Sequence, residues 1–133
     1  MKALAADHGA SWADVDGDGA IDLSLTGVQP AGMHSVLRNL LPARQARRFV
    51  SVSVERRPGA EVRVYAAGTR RLIATGLVDS GSGYDMQNDL PVHLGIGPAM
   101  RVDVEVTWAA NGTREVTRVL GVRPGERRTI RTK

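Results

Sequence analysis

The stretch Ala13-Asp14-Val15-Asp16-Gly17-Asp18-Gly19-Ala20-Ile21-Asp22-Leu23-Ser24-Leu25-Thr26 decides how the chain begins, because carboxylates at positions 14, 16, 18 and 22 lead into a run that alternates apolar and polar. Side chains two residues apart in a curled loop converge on one point, and a hard cation such as Ca2+ takes six to eight oxygen ligands. Asp14, Asp16 and Asp18 are therefore candidate carboxylate ligands, the backbone carbonyl of Ala20 a fourth ligand, and Asp22 the carboxylate that closes the ring. Gly19 supplies the positive φ of the sharp turn without a Cβ penalty. Crowded carboxylates repel one another in the absence of a cation. That repulsion favours a calcium site over the plainer alternative, an acidic surface turn that holds no ion.

An EF-hand loop opens in the same D-x-D-x-D-G manner but ends on a bidentate glutamate at its twelfth position, where this chain has Leu25. Ile21, Leu23 and Leu25 alternate with Asp22, Ser24 and Thr26, which predicts a half-buried strand rather than an exiting helix. The acidic loop is thus expected between two strands.

The 133 residues suffice for one domain, or for one small domain with an appendage. No apolar run reaches the roughly 18 residues of a membrane-spanning helix. Residues 1–10 lack the apolar core of a secretory signal, so an exported parent is expected to carry its signal outside this chain. Cysteine is absent, which excludes disulfides, thiol catalysis and cysteine-bound metals. Net charge is +4, with arginine pairs at Arg47-Arg48, Arg56-Arg57, Arg70-Arg71 and Arg127-Arg128. Aromatic residues are only 4% of the chain, too few to interleave stacking platforms through a nucleic-acid interface. Solvated strand ends are the plain account of the arginines; a glycan or other polyanion is the partner they would otherwise suit.

The rest of the chain reads as β. Residues 10–13 form a strand into the loop and residues 21–26 the strand out of it; a turn follows over residues 27–32, with Pro30 inside it. Val36, Leu37, Leu40 and Leu41 fit either a strand or a helical turn, and residues 42–47 are a short polar, proline-led linker. Beyond it, Val50, Val52 and Val54 alternate with Ser51 and Ser53, Val62 and Val64 alternate with charged residues, and Val102, Val104, Val106 and Trp108 alternate with Asp103, Glu105 and Thr107. Residues 71–78, 116–120 and 129–132 complete the strands, with turns at Gly68-Thr69, Asn111-Gly112 and Pro124-Gly125. Short strands at such spacing predict an all-β fold, an antiparallel Ig-like β-sandwich or a barrel. The first 45 residues, two or three strands around one ion, bury too little on their own and must lean on a neighbour.

No catalytic motif occurs: His8, His34 and His93 are isolated, and G-x-S-x-G, H-E-x-x-H and phosphate-cradling loops are missing. His93, between Val92 and Leu94, reads as a structural histidine. Asp79, Asp85 and Asp89 around Gly81-Ser82-Gly83-Tyr84 make a second acidic loop, read first as an ordinary sandwich loop and otherwise as a seat for a second ion or a sugar. Asn111-Gly112-Thr113 is formally a glycosylation sequon, but its role is expected to be the tight hairpin turn.

Two resemblances emerge from these motifs. Residues 11–23, Ser11-Trp12 running into the aspartate loop, followed by His34-Ser35-Val36-Leu37-Arg38-Asn39, resemble one FG-GAP/VCBS-type repeat, the calcium-loop blade of integrin-like β-propellers. Residues 59–130 resemble the ASPIC/UnbV domain of the cartilage acidic protein family through Gly59-Ala60-Glu61-Val62-Arg63-Val64, Gly81-Ser82-Gly83-Tyr84, His93-Leu94-Gly95-Ile96-Gly97 and Val104-Glu105-Val106-Thr107-Trp108 with Asn111-Gly112 after it. The resemblance implies a secreted or cell-surface protein that binds calcium and acts in adhesion or matrix contact. It divides the chain into a partial propeller-type blade with a calcium loop over residues 1–45 and an Ig-like sandwich over residues 46–133. One blade is a fragment or a reduced form of a propeller.

The expected function is a non-catalytic, calcium-stabilised extracellular binding, adhesion or assembly module, pairing with a protein or a second copy through sheet edges. The alternative is a carbohydrate-binding or carbohydrate-active domain that uses Tyr84, Trp108 and nearby acids. Trp108 shares a face with Val104 and Val106, which predicts that it is buried in the core.

Overall fold

A computed structural model describes residues 9–27, 34–55, 57–83 and 86–132. Most of the expected turn at 27–32, together with His8, Arg56, Tyr84 and Asp85, lies outside the described residues.

The chain forms β1 (Gly9–Ala13), β2 (Asp22–Thr26), β3 (Ser35–Leu37), α1 (Ala43–Ala46), β4 (Phe49–Val54), β5 (Glu61–Ala66), β6 (Leu72–Leu77), β7 (Val92–Gly95), β8 (Val102–Ala110), β9 (Thr113–Val122) and β10 (Arg127–Ile130). Among the described residues three open sheets result, in the orders β1-β2-β3, β10-β4-β7 and β6-β5-β8-β9. The fold is all-β, and its second and third sheets form a sandwich. Between them lie Val50, Val52 and Val54 of β4, Val62 and Val64 of β5, Val92 and Leu94 of β7, and Val102, Val104 and Val106 of β8. These are the alternating residues of each strand, so the period-2 pattern selects the inner faces. Trp108, expected to be buried in the core, is only partly buried and packs against this cluster, because β5 pairs with β8 no further than Thr107.

β8 and β9 join through Asn111 (φ 50) and Gly112 (φ 76), the paired positive angles of a tight hairpin whose twist matches its strands. Where a Cβ at Gly76 would stand, Val92 Cγ1 is only 2.6 Å away, so the missing side chain lets β6 approach β7 across the sandwich.

Three features differ from the alternation read in the sequence. β10 runs parallel to β4, with Arg127 opposite Ser51 and Ile130 opposite Val54, so that sheet is mixed rather than wholly antiparallel. Its neighbour is set by the turn at Pro124-Gly125, where the Gly125 amide donates to the Phe49 carbonyl at 2.7 Å and delivers the chain alongside β4. The linker at 42–47 contains α1, closed by the Ala46 amide donating to the Pro42 carbonyl at 3.0 Å. Finally, Ser51, on the polar face of β4, is only 3% exposed, and Phe49 on that face only 4%. An outer face this well buried is covered by another part of the chain. That cover is the aspartate loop.

Candidate metal centre

The loop leaves β1 at Ala13 and returns at β2, two strands paired from Gly9 opposite Thr26 to Ala13 opposite Asp22. Each carboxylate in it accepts a backbone amide. Gly19 N–H donates to Asp14 Oδ2 at 3.1 Å, Asp18 N–H to Asp16 Oδ1 at 3.2 Å, and Ala20 N–H to Asp18 Oδ1 at 2.8 Å. These short-range bonds curl the chain, and Gly17 (φ 77) and Gly19 (φ 97) supply the angles that the curl demands.

The curl gathers Asp14, Asp16 and Asp18, whose nearest oxygens lie within 4.8 Å of one another. Asp22 lies outside that group. It is 3% exposed, and its two oxygens accept the Val15 amide at 3.0 Å and the Asn39 amide at 2.8 Å. Asn39 Nδ2 also donates to the Ile21 carbonyl at 3.2 Å, so the segment after β3 is tied beneath the loop. Ala20 is buried directly after the three aspartates.

Two arginines far away in sequence face these carboxylates. Arg38 reaches Asp16 at 2.6 Å and Asp18 at 3.6 Å, and Arg127 at the start of β10 donates to Asp14 Oδ2 at 2.6 Å. Two guanidiniums offset three carboxylates only in part. The Asp14 side chain is 2% exposed, and its other oxygen, Oδ1, is buried without a hydrogen-bond partner among the described residues. A buried unpaired carboxylate oxygen is costly unless a ligand meets it. The donor set therefore fits a hard divalent cation: clustered carboxylates, one of them with a lone pair facing no protein donor.

The loop seats on the outer face of the β10-β4-β7 sheet. A Cβ at Gly19 would stand 2.5 Å from Phe49 Cε1 and 2.7 Å from the Ala46 carbonyl, so only glycine allows the approach. Phe49 in turn stacks on His93 with ring centroids 4.3 Å apart, and the Arg127 guanidinium lies 5.4 Å from the Phe49 ring centre. Burial pushes the His93 imidazole below the usual histidine range, against the opposing pull of Asp14. His93 is thus a packing residue beneath the loop, a place its alternation between Val92 and Leu94 already suggests.

The second acidic loop is arranged differently. Asp79 accepts the Gly81 amide at 3.0 Å and the Ser82 hydroxyl, and the Ser82 bond holds its carboxyl below the usual range. Among the described residues the carboxylates gathered at metal-ligand spacing are those of Asp14, Asp16 and Asp18. The arginine pairs also have internal partners. Arg48 donates to the Gly97 and Ala99 carbonyls at 2.6 and 3.0 Å, and Arg70 to Glu105 at 3.0 Å. Arg38 and Arg127 are the functional residues that alternation and spacing miss, since nothing local marks an arginine as the counter-charge of a distant aspartate.

Fold and site together define a two-sheet β-sandwich module that carries an acidic, cation-compatible loop on one outer face. Residues 55–132 match the family model described as ASPIC and UnbV, more than half of the chain, and the chain belongs to that family. No curated protein matches the chain, and no solved structure does. The matched segment begins just after β4, which nevertheless lies between β10 and β7.

Proposed function

We propose that the chain is a non-catalytic, calcium-stabilised binding or assembly module of an extracellular or cell-surface protein. The observation that carries this reading is the clustering of Asp14, Asp16 and Asp18, together with a buried Asp14 oxygen that has no hydrogen-bond partner among the described residues. Asp14, Asp16 and Asp18 would hold the ion with the Ala20 carbonyl, while Asp22 shapes the loop and keeps one lone pair per oxygen for a further contact. Bound calcium would neutralise the excess carboxylate charge. The chain's own residues do the rest: Gly19 and Phe49 seat the loop, and Arg127 fastens it to β10.

A loop with few carboxylates and partial arginine compensation suits the weak sites of extracellular modules, which work at about 0.1–1 mM calcium. The likeness of residues 11–23 and 34–39 to an FG-GAP/VCBS-type repeat, and of residues 59–130 to the ASPIC/UnbV domain of the cartilage acidic protein family, supports an adhesive or matrix role. On this reading residues 1–45 are the blade and residues 46–133 the sandwich, a boundary that keeps β4 with the two strands it joins. β9, ten residues long and at the edge of its sheet, offers backbone groups for pairing with a partner or a second copy.

Calorimetry with and without chelator tests the reading. Calcium at a hundred times its dissociation constant should stabilise the fold by about 2.7 kcal/mol. An unchanged melting temperature and no heat of binding would end the proposal.

A further inference from the structure

β1 carries a second feature that the calcium reading does not use. Trp12, two residues before Asp14, is 49% exposed, about half of a tryptophan left in water on a chain with few aromatics. Its backbone is anchored to the segment before β7: Trp12 N–H donates to Asn88 Oδ1 at 3.0 Å, and the Asp89 amide donates to the Trp12 carbonyl at 2.9 Å. Its backbone thus holds Trp12 at the wall of a groove of about 280 Å³ that Asp79, Asn88, Asp89 and His93 also line. Exposed Leu77 and Leu90 border the same groove.

We propose that this groove binds one ring of a neutral saccharide, with Trp12 as the stacking platform and Asn88 and Asp89 as the hydroxyl-recognising groups. The chemistry follows from the lining. A pyranose has an apolar C–H face and an equatorial rim of hydroxyls, so it is matched by one aromatic face beside acceptors and a donor. The Asp89 carboxylate accepts no hydrogen bond and forms no salt bridge among the described residues, though its charge acts on His93, and it is open to accept from hydroxyls. The Asn88 side-chain amide adds a donor, its oxygen already being engaged by Trp12.

Charge and size narrow the ligand further. Two carboxylates, Asp79 and Asp89, repel sulfated or uronic sugars, so the ring is uncharged. A volume just under the roughly 300–1,000 Å³ of drug-sized pockets suits a single sugar residue of a longer chain. A cationic group would also be drawn to an aromatic beside carboxylates, but such cages surround the cation with several rings, and among the described lining residues Trp12 is the one tryptophan, tyrosine or phenylalanine. Among the described residues the hydrogen bonds of Trp12, Asn88 and Asp89 do not involve Asp14, Asp16 or Asp18, although His93 at the groove wall also lies beneath the aspartate loop, so the binding test is run at saturating calcium.

Amide chemical-shift titrations of the full chain in saturating calcium test it, with maltose, cellobiose and chitobiose as neutral probes. A heparin-derived disaccharide and an arginine-rich peptide serve as charged controls. At least one neutral disaccharide should bind in the millimolar range and shift residues 12 and 88–93. Trp12→Ala should weaken it at least tenfold and Asp89→Asn several-fold, while Trp12→Tyr retains most of it. The dispersed amide spectrum of Asp89→Asn reports folding should Trp12→Ala prove unstable. Silence with every neutral sugar, binding indifferent to Trp12→Ala and Asp89→Asn, or binding of the peptide or the heparin fragment alone would each overturn the proposal.

Discussion

The Asp14 carboxylate and the Arg127 guanidinium, 113 residues apart in the chain, meet at 2.6 Å and join the acidic loop to the first residue of β10. The aspartate side chain is buried to 2% exposure while the arginine remains half exposed, so the pair sits between a surface and an interior salt bridge. Removing the cation leaves the buried carboxylate without its compensation. Arg127→Met should therefore destabilise the protein by about 2 kcal/mol in chelator. Calcium should shrink that loss, because an ion on the same carboxylate replaces the missing charge. Urea melts in chelator and in calcium measure both values; equal losses in the two buffers would separate Arg127 from the cation site.

Gly19 and Gly17 provide a matched comparison within one loop. Both have positive φ, but a Cβ at Gly19 would meet Phe49 and the Ala46 carbonyl, whereas nothing lies within 4 Å of one at Gly17. Gly17→Ala should cost about 1 kcal/mol, the backbone penalty alone. Gly19→Ala should cost about 3 kcal/mol, since a backbone oxygen cannot yield as a flexible side chain does. Equal costs would mean that the loop does not seat on Phe49.

Asp16 and Asp22 are expected to fail in different ways. Asp16 is exposed and its arginine partner is exposed, so Asp16→Asn should weaken calcium binding with little change in metal-free stability. Asp22 is buried with both oxygens on backbone amides, and Asp22→Asn turns one acceptor toward a donor. That change should cost about 1–3 kcal/mol even in chelator. Calcium titration and chemical denaturation of the two variants distinguish the roles.

On the outer face of the four-stranded sheet, Glu105 is 4% exposed and receives Arg118 at 2.7 Å and Arg70 at 3.0 Å, with the Tyr65 hydroxyl at 3.4 Å. Burial pushes its carboxyl upward, but Arg70 and Arg118 outweigh that and leave it below the usual glutamate range. A depressed folded-state value means that the unfolded chain binds the proton first. The stabilisation is thus complete above the ordinary glutamate value, about 4.3, and is lost as pH falls from there through the folded-state value. Glu105→Gln should cost about 2 kcal/mol at neutral pH and flatten the acid limb of the stability profile. A limb of unchanged steepness in the variant would assign it to other carboxylates.

Amino-acid order alone specifies the strands and their inner faces, because side chains alternate across a strand and Val50, Val52, Val62, Val64, Val102, Val104 and Val106 can be buried together only one way. It also determined the curl of residues 14–22, whose bonds span a few residues, and the hairpin at Asn111-Gly112. The parallel partner of β10, the burial of Ser51 and Phe49 on the polar-looking face of β4, and the meeting of Arg127 with Asp14 were decided by tertiary structure alone. Local spacing encodes periodicity, whereas which sheet face the loop covers depends on shape and charge brought together from opposite ends of the chain. Asp22 shows the boundary between the two: its spacing marks a ligand, but only the folded arrangement places the Val15 and Asn39 amides against its oxygens.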